Sequence, residues 1–413
     1  MYSKFGIDEK VINLSKTSME QIRPVFDEIS KIVEHNTLKV ISAMQEYQLS
    51  EMHFHGTTGY GYDDVGRDTI EKIYAKIFGT EDALVRIQFI SGTNALTTML
   101  FGLLRPGDTL MPITGKPYDT LSDVINGENI GSLKDFGVNY KEFALDDDGN
   151  VKIDEVLNYI KENKVKVIEL QRSRGYSFRK SFSVEYLDSI IEKIKQVDKD
   201  VIVVVDNCYG EFVEKEEPKA DVLVGSLIKN MGGGIAPTGA YIVGRKDLIE
   251  LIANRHTSPG VGKECGASLG FNKQILQGLF FAPHIVGEAL KTAVFAANMM
   301  EQMGFIASPK WNEKRADIIQ AIKFGNEEKL IKFCQGIQKG SAIDSHVVPY
   351  PWDMPGYTDK VIMAAGAFNQ GSSIELSADA PIREPYAAYM QGGLTFESGK
   401  LGIMSAANML IDM

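Results

Sequence analysis

One stretch constrains the fold of this chain more than any other: Val201 to Gly234, reading VIVVVDNCYGEFVEKEEPKADVLVGSLIKNMGGG. Val201 to Val205 is an unbroken run of β-branched residues, the pattern of a strand covered on both faces in a parallel sheet. Asp206 ends it. A second apolar run, Asp221 to Ser226, follows a charged connection and delivers Lys229 three residues beyond its end. Two parallel strands present their carboxyl ends on one sheet edge, so Asp206 and Lys229 are expected to flank one crevice.

A lysine opposite a carboxylate suits pyridoxal phosphate, whose aldehyde condenses with a lysine amine and whose ring nitrogen an acid keeps protonated. Strand-Asp, then strand-Ser-x-x-Lys and a glycine-rich turn, resembles the fold-type I enzymes that use this cofactor. Two further stretches narrow the likeness. Gly59-Tyr60-Gly61-Tyr62-Asp63-Asp64-Val65-Gly66-Arg67-Asp68 and Gln391-Gly392-Gly393-Leu394-Thr395 resemble the aluminium-resistance, or methionine gamma-lyase-like, family of cysteine and methionine metabolism. The likeness covers nearly the whole chain.

The resemblance implies an α/β fold of the pyridoxal-phosphate-dependent transferase type. Its sheet has seven mostly parallel strands with one antiparallel, and a smaller α+β domain follows. The resemblance also implies a carbon–sulfur lyase that eliminates at the β or γ carbon of a cystathionine-like or methionine-like amino acid. Lys229 would hold the cofactor and, once freed, serve as general base; Asp206 would face the ring nitrogen; Tyr118 would stack on the ring, and Tyr118 or Tyr60 would assist the leaving group. Ser226 would bind phosphate. In the resembled superfamily a Tyr-x-Arg reaches across a dimer interface to the partner's phosphate. Here the matching residues are Tyr60-Gly61-Tyr62, so Tyr60 keeps a hydroxyl and Arg67 is the candidate to replace the lost charge. A second departure is Ile228, where the superfamily often has a hydroxyl residue before the lysine.

Residues 17 to 49 carry apolar side chains at helical spacing, a face to be docked on a neighbouring subunit or on the same chain. Arg67 to Phe78 reads as helix, and LVRIQFI, ending at Ile90, as a strand running directly into Ser91-Gly92-Thr93-Asn94-Ala95. Strand, small-residue turn and helix make a phosphate cradle from helix-start amides and the Ser91 and Thr93 hydroxyls, with Gly92 between them. Simple helix capping uses the same residues. Strands are expected at 109–113, 138–143 and 165–170, with helices at 153–161 and 184–197, a βαβ repetition typical of doubly wound sheets. Gly239 to Gly244 follows its predecessor so closely that it must run antiparallel to it.

Arginines that could grip a substrate carboxylate are Arg172, leaving the strand at 165–170, and Arg383 in Ala380-Pro381-Ile382-Arg383, for which the resemblance is the stronger reason. Solvated surface arginines give the same local pattern. His53 and His55 could meet a metal, but no third ligand stands near them, and no metal is expected. In the small domain, 361–365 and 373–377 read as strands, and a helix over 285–303 leads into it.

A chain of 413 residues calls for more than one domain: a helical segment over 1–55, a large α/β domain over 56–285, and a linking helix with a small domain over 286–413. The formal net charge of −11 argues against nucleic acid or an anionic membrane as partner. Three scattered cysteines fit a reducing cytoplasm, and the amino terminus lacks a signal-peptide core. The expected partners are a small amino-acid substrate and further copies of the chain, as a homodimer or homotetramer with shared sites. Aminotransferase or aldolase chemistry would use the same Lys229 and Asp206, and a non-catalytic ligand-binding protein could keep the fold.

Overall fold

The computed structural model describes residues 1–354 and 357–413. Its large sheet is built from β1 (Asp82–Arg86), β2 (Thr109–Pro112), β3 (Asn139–Tyr140), β4 (Val167–Gln171), β5 (Ile202–Asp206), β6 (Val222–Ser226) and β7 (Ala240–Gly244), in the order β1-β7-β6-β5-β4-β2-β3. β7 is antiparallel to both neighbours, and the remaining pairs are parallel. This is the expected sheet.

Alternation within β5 shows why an all-apolar strand belongs at the centre. Val203 and Val205 enter one hydrophobic cluster, while Ile202 and Val204 enter the other, on the opposite face. Burying each such side chain contributes roughly 1.5–3 kcal/mol. Helices α1 (Glu9–Glu46), α2 (Val65–Phe78), α3 (Gly92–Leu103), α4 (Ser122–Asn126), α5 (Ile153–Glu162), α6 (Val184–Val197) and α7 (Lys246–His256) surround it. Leu96 and Met99 of α3 pack with Leu248 and Ile252 of α7 against one face, and Leu187 and Ile194 of α6 against the other.

The helix expected over 285–303 begins earlier, as α8 (Asn272–Gln302). It is long and apolar enough to cross a bilayer, yet 72% of its most apolar window is buried inside the fold, as a core helix requires. α1 docks along α8 of the same chain. Asn298 donates to the Gln21 side chain at 2.9 Å, and a Cβ on Gly287 would stand 2.3 Å from Val33 Cγ2, so glycine is what permits the close approach.

Beyond α8, an antiparallel sheet is formed by β8 (Ile306–Ser308), β9 (Gln320–Lys323), β10 (Val361–Ala365), β11 (Ser377–Pro381) and β12 (Ala387–Gln391), ordered β10-β11-β12-β9-β8. Helices α9 (Glu327–Gly340) and α10 (Phe396–Leu410) accompany it, packed close enough that a Cβ on Gly336 would strike the Ala406 backbone. Two expectations shift here. The strand foreseen over 373–377 is instead Ser377–Pro381, and the one foreseen up to Ile90 stops at Arg86. Gln88 leaves the ladder to donate to Ala267 O, and the Phe89 ring turns inward against His256.

Candidate active site

The register pairs Asp206 of β5 with Val224 of β6, which brings the carboxyl ends of the two strands side by side. Asp206, Ser226 and Lys229 line one cavity of about 150 Å³, closed on its other sides by Ser91, Gly92, Thr93 and Tyr118. The sequence-predicted group thus converges within one chain.

Ser91 caps α3, its hydroxyl accepting from the Asn94 amide at 3.0 Å. The Gly92 and Thr93 amides, at the start of the helix, have no partner among the described residues and are free for an anion. A Cβ on Gly92 would lie 3.4 Å from Ser226 Cβ and 3.6 Å from Cys208 Sγ, so the helix start and the ends of β5 and β6 form a tight cradle. Thr93 shares a 2.9 Å hydrogen bond with Thr120. Gln171, which also lines the cavity, leaves its side-chain carbonyl oxygen unpartnered. These free polar groups, a buried acid and a buried amine fit a phosphorylated, aldehyde-bearing ring.

Burial pushes the Asp206 carboxyl above the usual range, while the Lys229 charge and the Cys208 amide at 3.1 Å pull it down. For Lys229, burial works against the charge, but Cys208, Tyr209 and Asp206 outweigh it and raise its pKa. Cys208 and Tyr209 are themselves held neutral by burial, so Asp206 supplies the counter-charge. The Lys229 amine stands over the Tyr209 ring, 4.0 Å from its centroid. Tyr209 adopts φ 73° and takes a hydrogen bond from Ser373 at 3.2 Å, which ties the small sheet to the lysine. Sequence reasoning missed this tyrosine. A positive-φ residue three places after a strand-ending Asp carries no periodic signal.

Tyr118 is in the cavity wall, edge-on to Tyr176 and hydrogen-bonded to the Tyr357 hydroxyl at 2.8 Å. Burial holds its hydroxyl well above its ordinary pKa, so it is a donor at neutral pH.

Other residues stand apart. Arg172 is fully buried, its guanidinium bonded to Glu217 at 2.9 Å, Glu214 at 2.8 Å and Asn207 at 2.8 Å, behind the sheet edge and outside the cavity. It cannot meet a substrate carboxylate, and its expected role is corrected to bracing the loop after Asp206. Arg383 lines an adjoining cavity, paired with Asp359 at 2.7 Å. Tyr60 is 73% exposed, stacks on Tyr62 and does not line the Lys229 cavity of its own chain. Arg67 is buried, donating to Gly61 O at 2.6 Å and Gly266 O at 3.1 Å, so it shapes the glycine-rich loop instead of replacing the missing arginine. His53 turns its Nδ1 toward Ser50 at the end of a short helical turn.

A seven-stranded sheet with one reversed strand and a lysine–aspartate pair at its edge is the arrangement of fold-type I pyridoxal-phosphate-dependent enzymes. The pyridoxal-5'-phosphate-dependent protein YhfS of Escherichia coli shares this fold, at 16% identity and a TM-score of 0.61 over 93% of this chain and 97% of that one. Within the class, the chain belongs to the methionine gamma-lyase family, whose profile matches residues 11–411. It is 52% identical to YnbB of Bacillus subtilis (strain 168) over 407 residues, 96% of each chain. The structure of a carbon-sulfur lyase involved in aluminum resistance from Clostridium novyi NT is 51% identical, with a TM-score of 0.95 over 99% of this chain and 97% of that one.

Proposed function

We propose that the chain is a pyridoxal-phosphate-dependent carbon–sulfur lyase acting on a sulfur-containing amino acid. The observation that carries this reading is the convergence of Lys229, Asp206 and the free amides of Gly92 and Thr93 on one cavity. Lys229 would hold the cofactor's aldehyde carbon, Asp206 its ring nitrogen, Tyr118 a face of its ring, and Ser91, Gly92, Thr93 and Ser226 its phosphate. When bound, the cofactor supplies an electron-accepting ring that stabilises negative charge at the substrate's α carbon.

The rest falls to the chain. Lys229, its nitrogen neutral once released from the cofactor, would take the α proton, and Asp206 would hold the cofactor's ring nitrogen in its protonated, electron-accepting form. The Tyr118 hydroxyl, protonated at neutral pH, is placed in the wall where it would be able to give a proton to the departing thiolate. Tyr209 packs beneath the amine and limits where it can swing. We also propose that the functional unit is at least a homodimer, with the exposed Tyr60 loop of one copy completing the neighbour's site. Full activity in a monomer at high dilution would overturn that part.

The test is the near-visible spectrum of wild-type protein and Lys229→Ala with added pyridoxal phosphate, before and after borohydride. A band in wild type, bleached by reduction with the label mapping to Lys229, is expected. Release of thiol and keto acid from cysteine and homocysteine thioethers then tests the reaction. A colourless wild type would sink the proposal. Keto acid formed without thiol would point to aminotransfer.

A further inference from the structure

The hydroxyl of Tyr118 has one hydrogen-bond partner among the described residues, the hydroxyl of Tyr357 at 2.8 Å, and either oxygen can be the donor. Tyr118 follows β2 in the large domain and lines both the lysine cavity and the adjoining one, of about 290 Å³. Tyr357 comes from the small domain, just ahead of β10. Its placement is fixed from several sides. A bridge between Trp352 and Val361, with backbone bonds of 3.1 and 3.0 Å, pins both ends of the segment that carries it. Asp359 pairs with Arg383 at 2.7 Å, and the Ile382 amide donates to the Lys360 carbonyl at 2.8 Å, tying the segment to the end of β11. The Tyr357 ring stands 5.6 Å from that of Tyr176, which lies 5.8 Å from Tyr118 and 5.5 Å from Tyr389. Rings packed this way bring the two hydroxyls together in one geometry.

The bond matters for the charge that Tyr118 is left with. A proton given to a departing sulfur turns a buried hydroxyl into a buried phenolate. The groups whose fields weigh most on Tyr118 are Tyr209, Tyr357 and Asp379, and none of them is a cation. Burial pushes Asp379, on β11, up to about 6, so it is an anion at neutral pH and opposes the phenolate further. Tyr209 and Tyr176 are held neutral by burial. Lys229 lines the same cavity, but its amine lies against the Tyr209 ring. A buried charge without a counter-ion is costly, and a hydrogen bond to a charged oxygen is worth more than one to a neutral oxygen. Among the described residues, Tyr357 is the donor in place to supply it.

We propose that Tyr357 is a positioning residue for the acid that releases the leaving group: its hydroxyl orients that of Tyr118 and donates to it as the Tyr118 proton departs. This rests on the lyase reading above. In the step, the carbon–sulfur bond breaks with its electron pair going to sulfur, the Tyr118 proton passes to that sulfur, and a neutral thiol leaves. The hydroxyl pair is then one proton short and shares the one that remains. The α proton held by Lys229 equals the deficit, and solvent returns it to the pair.

Tyr357→Phe removes the hydroxyl and keeps the ring beside Tyr176. The test compares S-ethyl-cysteine with S-(2,2,2-trifluoroethyl)-cysteine, which has nearly the same shape, and the matching homocysteine thioethers, in holoenzyme. Ethanethiolate needs a proton to leave well, whereas the far more acidic trifluoroethanethiol leaves readily as its anion. Tyr357→Phe should lower kcat for the ethyl thioether about tenfold, with KM within about twofold, and change the trifluoroethyl thioether by less than about twofold. Tyr118→Phe should lose about a hundredfold on the ethyl thioether, and the double variant no more, because Tyr357 acts only through Tyr118. An equal loss on both thioethers, no loss on either, or a double variant that loses the product of the single losses overturns the proposal. Without cofactor, the double variant should melt no lower than the less stable single one, since all three break the same bond; melting losses that add would show two hydroxyls not bonded in solution, and overturn it too. If wild type releases no thiol from any thioether, the lyase reading fails and the proposal with it, whereas thiol release with equal losses removes the proposal alone.

Discussion

Arg172 and Arg179 both follow β4, and the chain treats them oppositely. Arg172 is enclosed with Glu214 and Glu217, and burial of its charge is outweighed by theirs, so its pKa rises. Arg179 meets only carbonyl oxygens, and burial lowers its pKa to about 10. The difference teaches how to tell a brace from a ligand site. A guanidinium whose carboxylates come from its own fold is finished on folding; one oriented by neutral dipoles is held in place with its charge unspent.

The largest expected effect comes from breaking the first of these. Arg172→Met leaves Glu217 and Asn207 facing each other in the core without the cation, and should cost about 3–5 kcal/mol in urea unfolding. Arg179→Gln should cost less, about 1–3 kcal/mol, since the cation's bonds to carbonyls are lost but no buried carboxylate is left without its partner. Equal losses would erase the contrast.

The second effect is on pH dependence. Glu169 sits on β4 with both carboxyl oxygens unpartnered, and burial raises its pKa to about 8. A carboxyl whose folded pKa lies above its unfolded value binds a proton in the native state that the unfolded chain has released. Stability therefore falls as pH rises from the ordinary carboxyl range toward 8, by up to about 1.4 kcal/mol per pH unit for one proton. Glu169→Gln should flatten that slope without removing the part due to Glu211, which burial also raises to about 8 beside Arg172's network. An unchanged slope in Glu169→Gln would mean that Glu169 is ionised and already serves Arg179 as counter-ion.

How much of this the sequence carried differs between the two cavities. The lysine cavity was legible because a run of β-branched residues fixes a central strand, the strand fixes a sheet edge, and residues at that edge have to meet. Asp206, Ser226, Ser91 and Lys229 follow from that logic. The arginines do not, since what decides their role is charge compensation from residues far along the chain. Glu214 and Glu217, 42 and 45 positions from Arg172, leave no mark on the sequence around it. β11 was misplaced for a similar reason: a strand ending in proline gives little local signal, and only pairing with β10, and at its start with β12, makes Ser377–Pro381 a strand. Periodicity did not choose between docking α1 on its own chain or on a neighbour; in the structure it lies on α8 of its own chain, with Gly287 beside Val33.

A third test sharpens the contrast from the lysine side. In Gly92→Ala the added methyl meets Ser226 and Cys208 at ordinary contact distance, so the apo protein should melt within a degree or two of wild type. The methyl nevertheless enters the cradle where the phosphate oxygens would lie, and cofactor affinity measured by absorbance titration should fall about tenfold, some 1.4 kcal/mol. A lower melting temperature with unchanged affinity would show that the methyl disturbs the packing at the ends of β5 and β6 and leaves the cradle open.

The smallest effect belongs to Arg383, which stands between the two cases. Its pair with Asp359 is at 2.7 Å, but the side chains are 41% and 34% exposed, so water screens the attraction. Asp359→Asn should change stability by no more than about 0.5 kcal/mol. Even that small loss should fade with added salt, over the range where the Debye length falls below about 10 Å. An exposed pair that proved as costly to break as Arg172's would mean that the small sheet relies on it for structure, and Arg383 would then join the braces. Stability unchanged in Asp359→Asn would place it with Arg179, as a cation that the fold holds without a paired carboxylate.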